Sequence, residues 1–326
     1  MRSIVVASAA IAACSFHNGG PANGTDAPAA SAIDAAPDAS APSADAGPPG
    51  PRVIAYLPNY RGSYADWAGQ LDFASMTHLN LAFARPDGDN VWSLGASDEE
   101  LAAIVGAAHA HGVAVLASLG GGGGDQSVIV RYRDARNIPA LVASLDAFVA
   151  QHDLDGVDLD IEDAGALGDD YSAFVDQTIA ALRPKGKLVT AAVAQYLQDG
   201  MSDQTLHAFD FVNVMIYSSY DDSVAAMTYY TNDKGVPPAQ VVLGAGFFGT
   251  DSSGAEYGYP QIVDADADAW TKDETTVNGR TVRYTGVPSM KKLAAYAKGF
   301  GGIMIWEITL DVPGEPSLWK AIQASQ

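Results

Sequence analysis

The stretch LDGVDLDIEDAG, residues 154–165, decides the reading of this chain. Five of its twelve residues are acidic (Asp155, Asp158, Asp160, Glu162 and Asp163), and they lie among apolar neighbours rather than in a charged run. Side chains on a strand alternate between its faces. Val157, Leu159 and Ile161 therefore point one way, and Asp158, Asp160 and Glu162 the other. In a closed parallel barrel both faces of a strand are buried, the outer one under helices. The apolar trio suits the outer face. The acids then point inward, with Glu162 at the C-terminal mouth, where barrel enzymes keep their chemistry. Three carboxyls facing one interior cannot all ionise cheaply, and repulsion raises at least one pKa. A carboxyl that holds its proton near neutral pH can serve as a general acid. Two other arrangements produce the same pattern: a structural ladder of acids, and a divalent-metal site completed by further oxygen ligands. The ladder is costly in an interior, because this strand holds no basic partner.

Working outward, the chain from residue 51 to 326 has the length of one (β/α)8 barrel. Eight strands are expected: RVIAYL (52–57), THLNLAF (77–83), VAVLAS (113–118), GVDLDI (156–161), LVTAAVA (188–194), FVNVMIY (211–217), VVLGAGF (241–247) and GGIMIW (301–306). Amphipathic stretches lie between them, which is the βα alternation of a parallel sheet. In SDEELAAIVGAAHAHG, Ser97 is a helix N-cap, Glu100 stands at the capping-box position and Gly112 is a stop. NIPALVASLDAFVAQHD, DYSAFVDQTIAALRP, SMKKLAAYAKG and PSLWKAIQ are further helices. No fixed-period repeat is present. The connection between strands seven and eight, about residues 250–300, is the longest and reads as a small strand-rich excursion. The fold class is α/β, a single TIM-barrel domain.

The chain is 326 residues with 48% hydrophobic and 17% charged residues, an ordinary globular composition. Its net charge of −21 makes nucleic acid or an anionic membrane surface a poor partner. A single cysteine excludes an intrachain disulfide. That cysteine ends MRSIVVASAAIAAC, which resembles a bacterial lipoprotein signal: residues 1–13 removed and Cys14 lipidated. Residues 14–50 are rich in Ala, Pro, Asp, Ser and Gly and read as a flexible tether. No apolar run approaches the roughly 18 residues of a spanning helix. The expected chain is exported, either held at the cell envelope, at the outer membrane, only through a lipid at Cys14, or extracellular, and it is a monomer.

DGVDLDIE, residues 155–162, resembles the DxxDxDxE signature of glycoside hydrolase family 18, the chitinase and endo-N-acetylglucosaminidase family. The landmarks that follow keep the family's order. ASLGGGGG (117–124) is similar to SxGG after strand three, MIY (215–217) to MxY on strand six, LGAGFFG (243–249) to strand seven, and GGIMIWEITLD (301–311) to strand eight. The resemblance implies hydrolysis of β-1,4 bonds in N-acetylglucosamine polymers by a substrate-assisted, retaining route. In that route Glu162 is acid and then base, Asp160 orients the substrate acetamido group, Asp158 shares a proton with Asp160, and Tyr217 bonds the acetamido oxygen. Met215 joins the sugar pocket, and Asp155, Ser118, Gly120 and Gly121 support the site. Trp306 is the candidate sugar platform, with Tyr56, Phe83 and Gln195 as further substrate contacts. Trp67, Trp92 and Trp270 read equally as outer subsites or as packing, and Trp319 as core. No metal and no organic cofactor is implied. One position departs from the family: MxYD has its aspartate replaced by Ser218, with Asp221 or Asp222 as possible substitutes. An endo-N-acetylglucosaminidase acting on N-glycans, a non-catalytic carbohydrate-binding barrel and a structural surface lipoprotein are the competing readings.

Overall fold

The computed structural model describes residues 50–123, 125–197 and 200–325. The signal, Cys14 and the tether (Gly50 excepted) lie outside the described residues. Eight parallel strands close into a barrel: β1 (Arg52–Pro58), β2 (His78–Pro86), β3 (Ala114–Gly120), β4 (Gly156–Asp160), β5 (Leu188–Val193), β6 (Val212–Val214), β7 (Val241–Gly246) and β8 (Gly302–Trp306). Each strand pairs with the next, and β1 bonds both β2 and β8, so no edge is left open. The expected strands are all present. The sixth is shorter than FVNVMIY because regular pairing stops at Val214.

The alternation of LDGVDLDIEDAG is realised in space. Val157, Leu159 and Ile161 belong to the large apolar layer between strands and helices. The barrel interior has its own smaller apolar cluster, including Ile54, Leu116, Phe211, Val242 and Met304. Above that cluster the interior turns polar, with Asp158, Ser118, Thr190 and Asn213 all fully buried.

The helix Asp98–His109 begins at Ser97 with a full capping box. The Ser97 hydroxyl accepts from the Glu100 amide, and the Glu100 carboxylate accepts from the Ser97 amide. Ile138–Gln151, Asp169–Leu182, Val287–Ala297 and Leu318–Gln323 form the other expected helices. Helices Tyr64–Ala68 and Tyr220–Thr228 are additional, each opened by a serine cap, Ser63 and Ser219. The excursion after β7 is a four-stranded antiparallel sheet of Glu256–Gly258, Phe248–Asp251, Arg280–Tyr284 and Glu274–Val277, carrying the helix Tyr259–Ala265. Trp92 and Trp319 are buried, and Trp67 and Trp270 pack against the core while staying partly exposed.

Closure of the barrel places Gly302 against Arg52. A Cβ at Gly302 would stand 2.0 Å from the Arg52 carbonyl oxygen, and its φ of +123° is one that L side chains rarely adopt. Gly302→Ala is expected to cost about 3 kcal/mol through clash and backbone strain. The melting temperature should then fall by roughly 6–12 °C. A thermal scan within 2 °C of wild type would refute this account of the seam.

Candidate active site

Register brings the acid cluster together. Ser118 on β3, Asp158 on β4 and Thr190 on β5 are cross-strand partners at one level. Their inward side chains meet. Ser118 Oγ donates to Asp158 Oδ2 at 3.0 Å, and Thr190 Oγ1 to Oδ1 at 2.6 Å. Across the barrel, Tyr56 Oη donates to Oδ2 at 2.7 Å and Asn213 Nδ2 to Oδ1 at 3.1 Å. Four donors on one carboxyl fit its ionised form, which only accepts. Burial pushes the Asp158 pKa up, and the four hydrogen bonds pull it back down.

Asp160 differs from its neighbour. It is 3% exposed, and its Oδ1 has no hydrogen-bond partner among the described residues. Burial, then the charges of Glu162 and Asp158, hold its carboxyl well above the usual carboxylate range. Of the pair, Asp160 is the member whose ionisation the site opposes more strongly, and Asp158 the one whose ionised form is solvated by donors. Glu162 stands beyond the end of β4. Burial raises its pKa, a hydrogen bond from Tyr196 opposes that rise, and the nearby Glu256 reinforces it.

The rest of the mouth is aromatic and glycine-lined. Trp306 is half-buried, stacked on Phe83 at 5.6 Å and edge-on to Tyr56 at 5.7 Å. Non-proline cis peptides precede Phe83 and follow Trp306. Tyr217 lies at the end of β6, edge-on to Phe248 at 5.5 Å, with its phenol pKa driven well up by burial and by Asp160 and Glu162. Met215 packs against both the inner and outer apolar clusters. The Gly121 amide bonds the Asp160 carbonyl at 2.8 Å. A Cβ at Gly122 would approach Glu162 Oε1 to 2.8 Å, so a side chain there would displace the carboxyl from its present position.

Tyr56 is 1% exposed, and its hydroxyl donates to Asp158, a place that supports the acid pair. Phe83 is 6% exposed and lies against Trp306. Gln195 is half-buried in the turn after β5, and its neighbour Tyr196 is the residue that reaches Glu162. Asp155 joins β4 to the bottom of the barrel, accepting from the Val115 amide and pairing with His109. Asp163 caps the short turn that follows, accepting from the Gly165 amide. Gly120 lies against the Asp160 carbonyl. Asp222 accepts from both Ser218 and Ser219 at 2.6 Å, so it is tied into the first turn of the helix Tyr220–Thr228 beside Ser218. Glu307 was missed: it is buried and bonded by Arg61 at 2.9 Å and by Thr309. Among the described residues, no three His, Cys, Asp or Glu side chains gather as metal ligands.

A family model for glycosyl hydrolases family 18 matches residues 52–311. The chain belongs to that family. The match covers all eight strands and the excursion. A family 18 chitinase from the chitin utilization locus of Flavobacterium johnsoniae is similar in structure, with a TM-score of 0.75 and 27% identity over 85% of this chain and 94% of that one. An Ostrinia furnacalis Group II chitinase domain, solved in complex with a chitooligosaccharide, shares the fold at a TM-score of 0.69 and 18% identity, over 84% of this chain and 96% of that one. A chitinase-like effector of Moniliophthora perniciosa is 37% identical over 117 residues, 33% of this chain. The matched stretch spans 27% of that relative's length. Within the family 18 barrel, the signature acids stand on the fourth strand and at its mouth, and the glycines after β3 pack against them.

Proposed function

We propose that this family 18 protein hydrolyses β-1,4 bonds in chitin or chitooligosaccharides by a substrate-assisted, retaining route. The observation that carries the reading is the state of the acid pair: Asp158 saturated by four donors, and Asp160 buried with Oδ1 unpartnered among the described residues. A substrate acetamido N–H is the kind of donor that oxygen lacks. Once it binds there, the acetamido carbonyl oxygen can attack the anomeric carbon. Glu162 gives its proton to the departing glycosidic oxygen. The bond to the leaving sugar breaks, and an oxazolinium ion forms. Its positive charge develops beside the buried Asp158–Asp160 pair, which that charge favours in its ionised form. The site is fixed before reaction, so stabilisation costs little reorganisation. Tyr217 bonds the acetamido oxygen, and Trp306 provides a flat apolar floor for the ring. Glu162, now ionised, takes a proton from water as the water oxygen attacks the anomeric carbon from the vacated side; the bond from that carbon to the acetamido oxygen breaks, and the acetamide is restored. The outcome is retention.

An endo-N-acetylglucosaminidase acting on N-glycans is the second reading, favoured by Ser218, whose hydroxyl is held by Asp222 where the family pattern has an aspartate. We also propose export and lipid anchoring through Cys14, supported by the sequence of residues 1–14 alone. The deciding experiment compares chitooligosaccharides with a high-mannose glycopeptide. Cleavage of the oligomers is expected. Cleavage of the glycopeptide alone would establish the second reading, and binding without cleavage of either would leave a carbohydrate receptor.

A further inference from the structure

We propose that Tyr196 is a positioning residue for the acid, its phenol hydroxyl seating the Glu162 carboxyl at the barrel mouth. This rests on the reading of Glu162 as acid and base. Glu162 lies two residues past the last ladder residue of β4, Asp160, so the sheet does not fix its side chain. Its carboxyl has open space on one side and a donor on the other. Oε1 faces Gly122, where a Cβ would come within 2.8 Å. Oε2 accepts from Tyr196 Oη at 3.4 Å, the one side-chain donor to Glu162 among the described residues. That distance is long, as hydrogen bonds of ligand-free active sites commonly are before they tighten around substrate. Tyr196 sits on the turn Gln195–Leu197 directly after β5, and its ring is 48% exposed at the mouth.

The groups around Glu162 differ in what they favour. Asp160 and Asp158 lie below it on β4, Tyr217 closes in from β6, and Glu256 faces it from the excursion sheet. Burial and Glu256 favour the protonated carboxyl, and Tyr196 alone favours the ionised one. The reaction needs both forms in turn: the acid expels the leaving group and the base activates water. Without Tyr196 the carboxyl would be both less fixed and harder to ionise for the second step.

Tyr196→Phe removes one oxygen from a half-exposed ring, and Tyr196→Leu removes the ring as well. Two readouts are needed: kcat and kcat/KM against pH on a chitooligosaccharide, and the titration of the Glu162 carboxyl by carbon-13 NMR of glutamate-labelled protein. Glu162→Gln assigns the resonance. Loss of a donor to the carboxylate raises its pKa. Both variants should therefore move the Glu162 midpoint and the alkaline limb of kcat/KM to higher pH, with kcat lowered about three- to ten-fold. A midpoint unmoved in both variants overturns the proposal, whatever happens to kcat. If wild type cuts no N-acetylglucosamine substrate, the proposed function falls, and the NMR midpoint still decides for or against the seat.

Discussion

Glu162→Gln is expected to lower kcat on chitooligosaccharides by about 10³-fold, in the middle of the range a general acid–base group supplies. The amide keeps the shape and the Oε-side contact with Tyr196 but has no proton to give and no base to offer. KM should change little, because Trp306 and Asp160 are left intact. The pH dependence carries a sign. Burial raises the folded-state pKa of Glu162 above that of a free glutamate. Wild-type activity should therefore persist past the ordinary carboxylate range and fall as pH rises through the raised value. Stability follows the same sense: a raised carboxyl pKa favours the fold at low pH, and that advantage is lost as pH rises through it. The Gln variant lacks this loss, so its melting temperature should be as high as wild type at acidic pH and relatively higher at alkaline pH. Activity within ten-fold of wild type would remove Glu162 from the chemistry.

Asp160→Asn should lower kcat by roughly 10²-fold with a smaller change in KM, the scale seen when one preorganised electrostatic group is removed. Burial and two acidic neighbours push the Asp160 pKa well up. Positive charge appearing in the substrate would favour ionisation of the pair. An amide fills the same volume and cannot ionise. Thermal stability should hold or rise, because a buried carboxyl that resists ionising is replaced by a neutral amide. A variant with kcat within three-fold of wild type would show that Asp158 alone provides the needed charge.

Much of this was legible in the residues. The two-residue period of VDLDIE placed the acids inside and Val157, Leu159 and Ile161 outside, and Ser97 and Glu100 marked a helix start that the structure reproduces. Thr190 and Asn213 went unnoticed, although a polar residue on the inner face of an apolar strand was signal enough to find both. The excursion hairpin also had a readable turn: Asn278 and Gly279 both take positive φ between Glu274–Val277 and Arg280–Tyr284. Tyr196, Glu256 and Glu307 were not readable. Their meaning comes from loops that leave different strands and converge, and no spacing in one segment encodes that convergence. Tyr56 illustrates the limit from the other side: its position at the end of a strand was plain, but only the register shows its hydroxyl turned to Asp158.

The four side chains that hold Asp158 arrive from β1, β3, β5 and β6, and the contact between Tyr56 and Asn213 joins residues 157 apart in the chain. No fragment short of the sixth strand can assemble this arrangement, and β1 finds its second neighbour only when β8 is made. The surroundings of Asp158 are therefore a product of the closed barrel, and no local segment of the chain contains them.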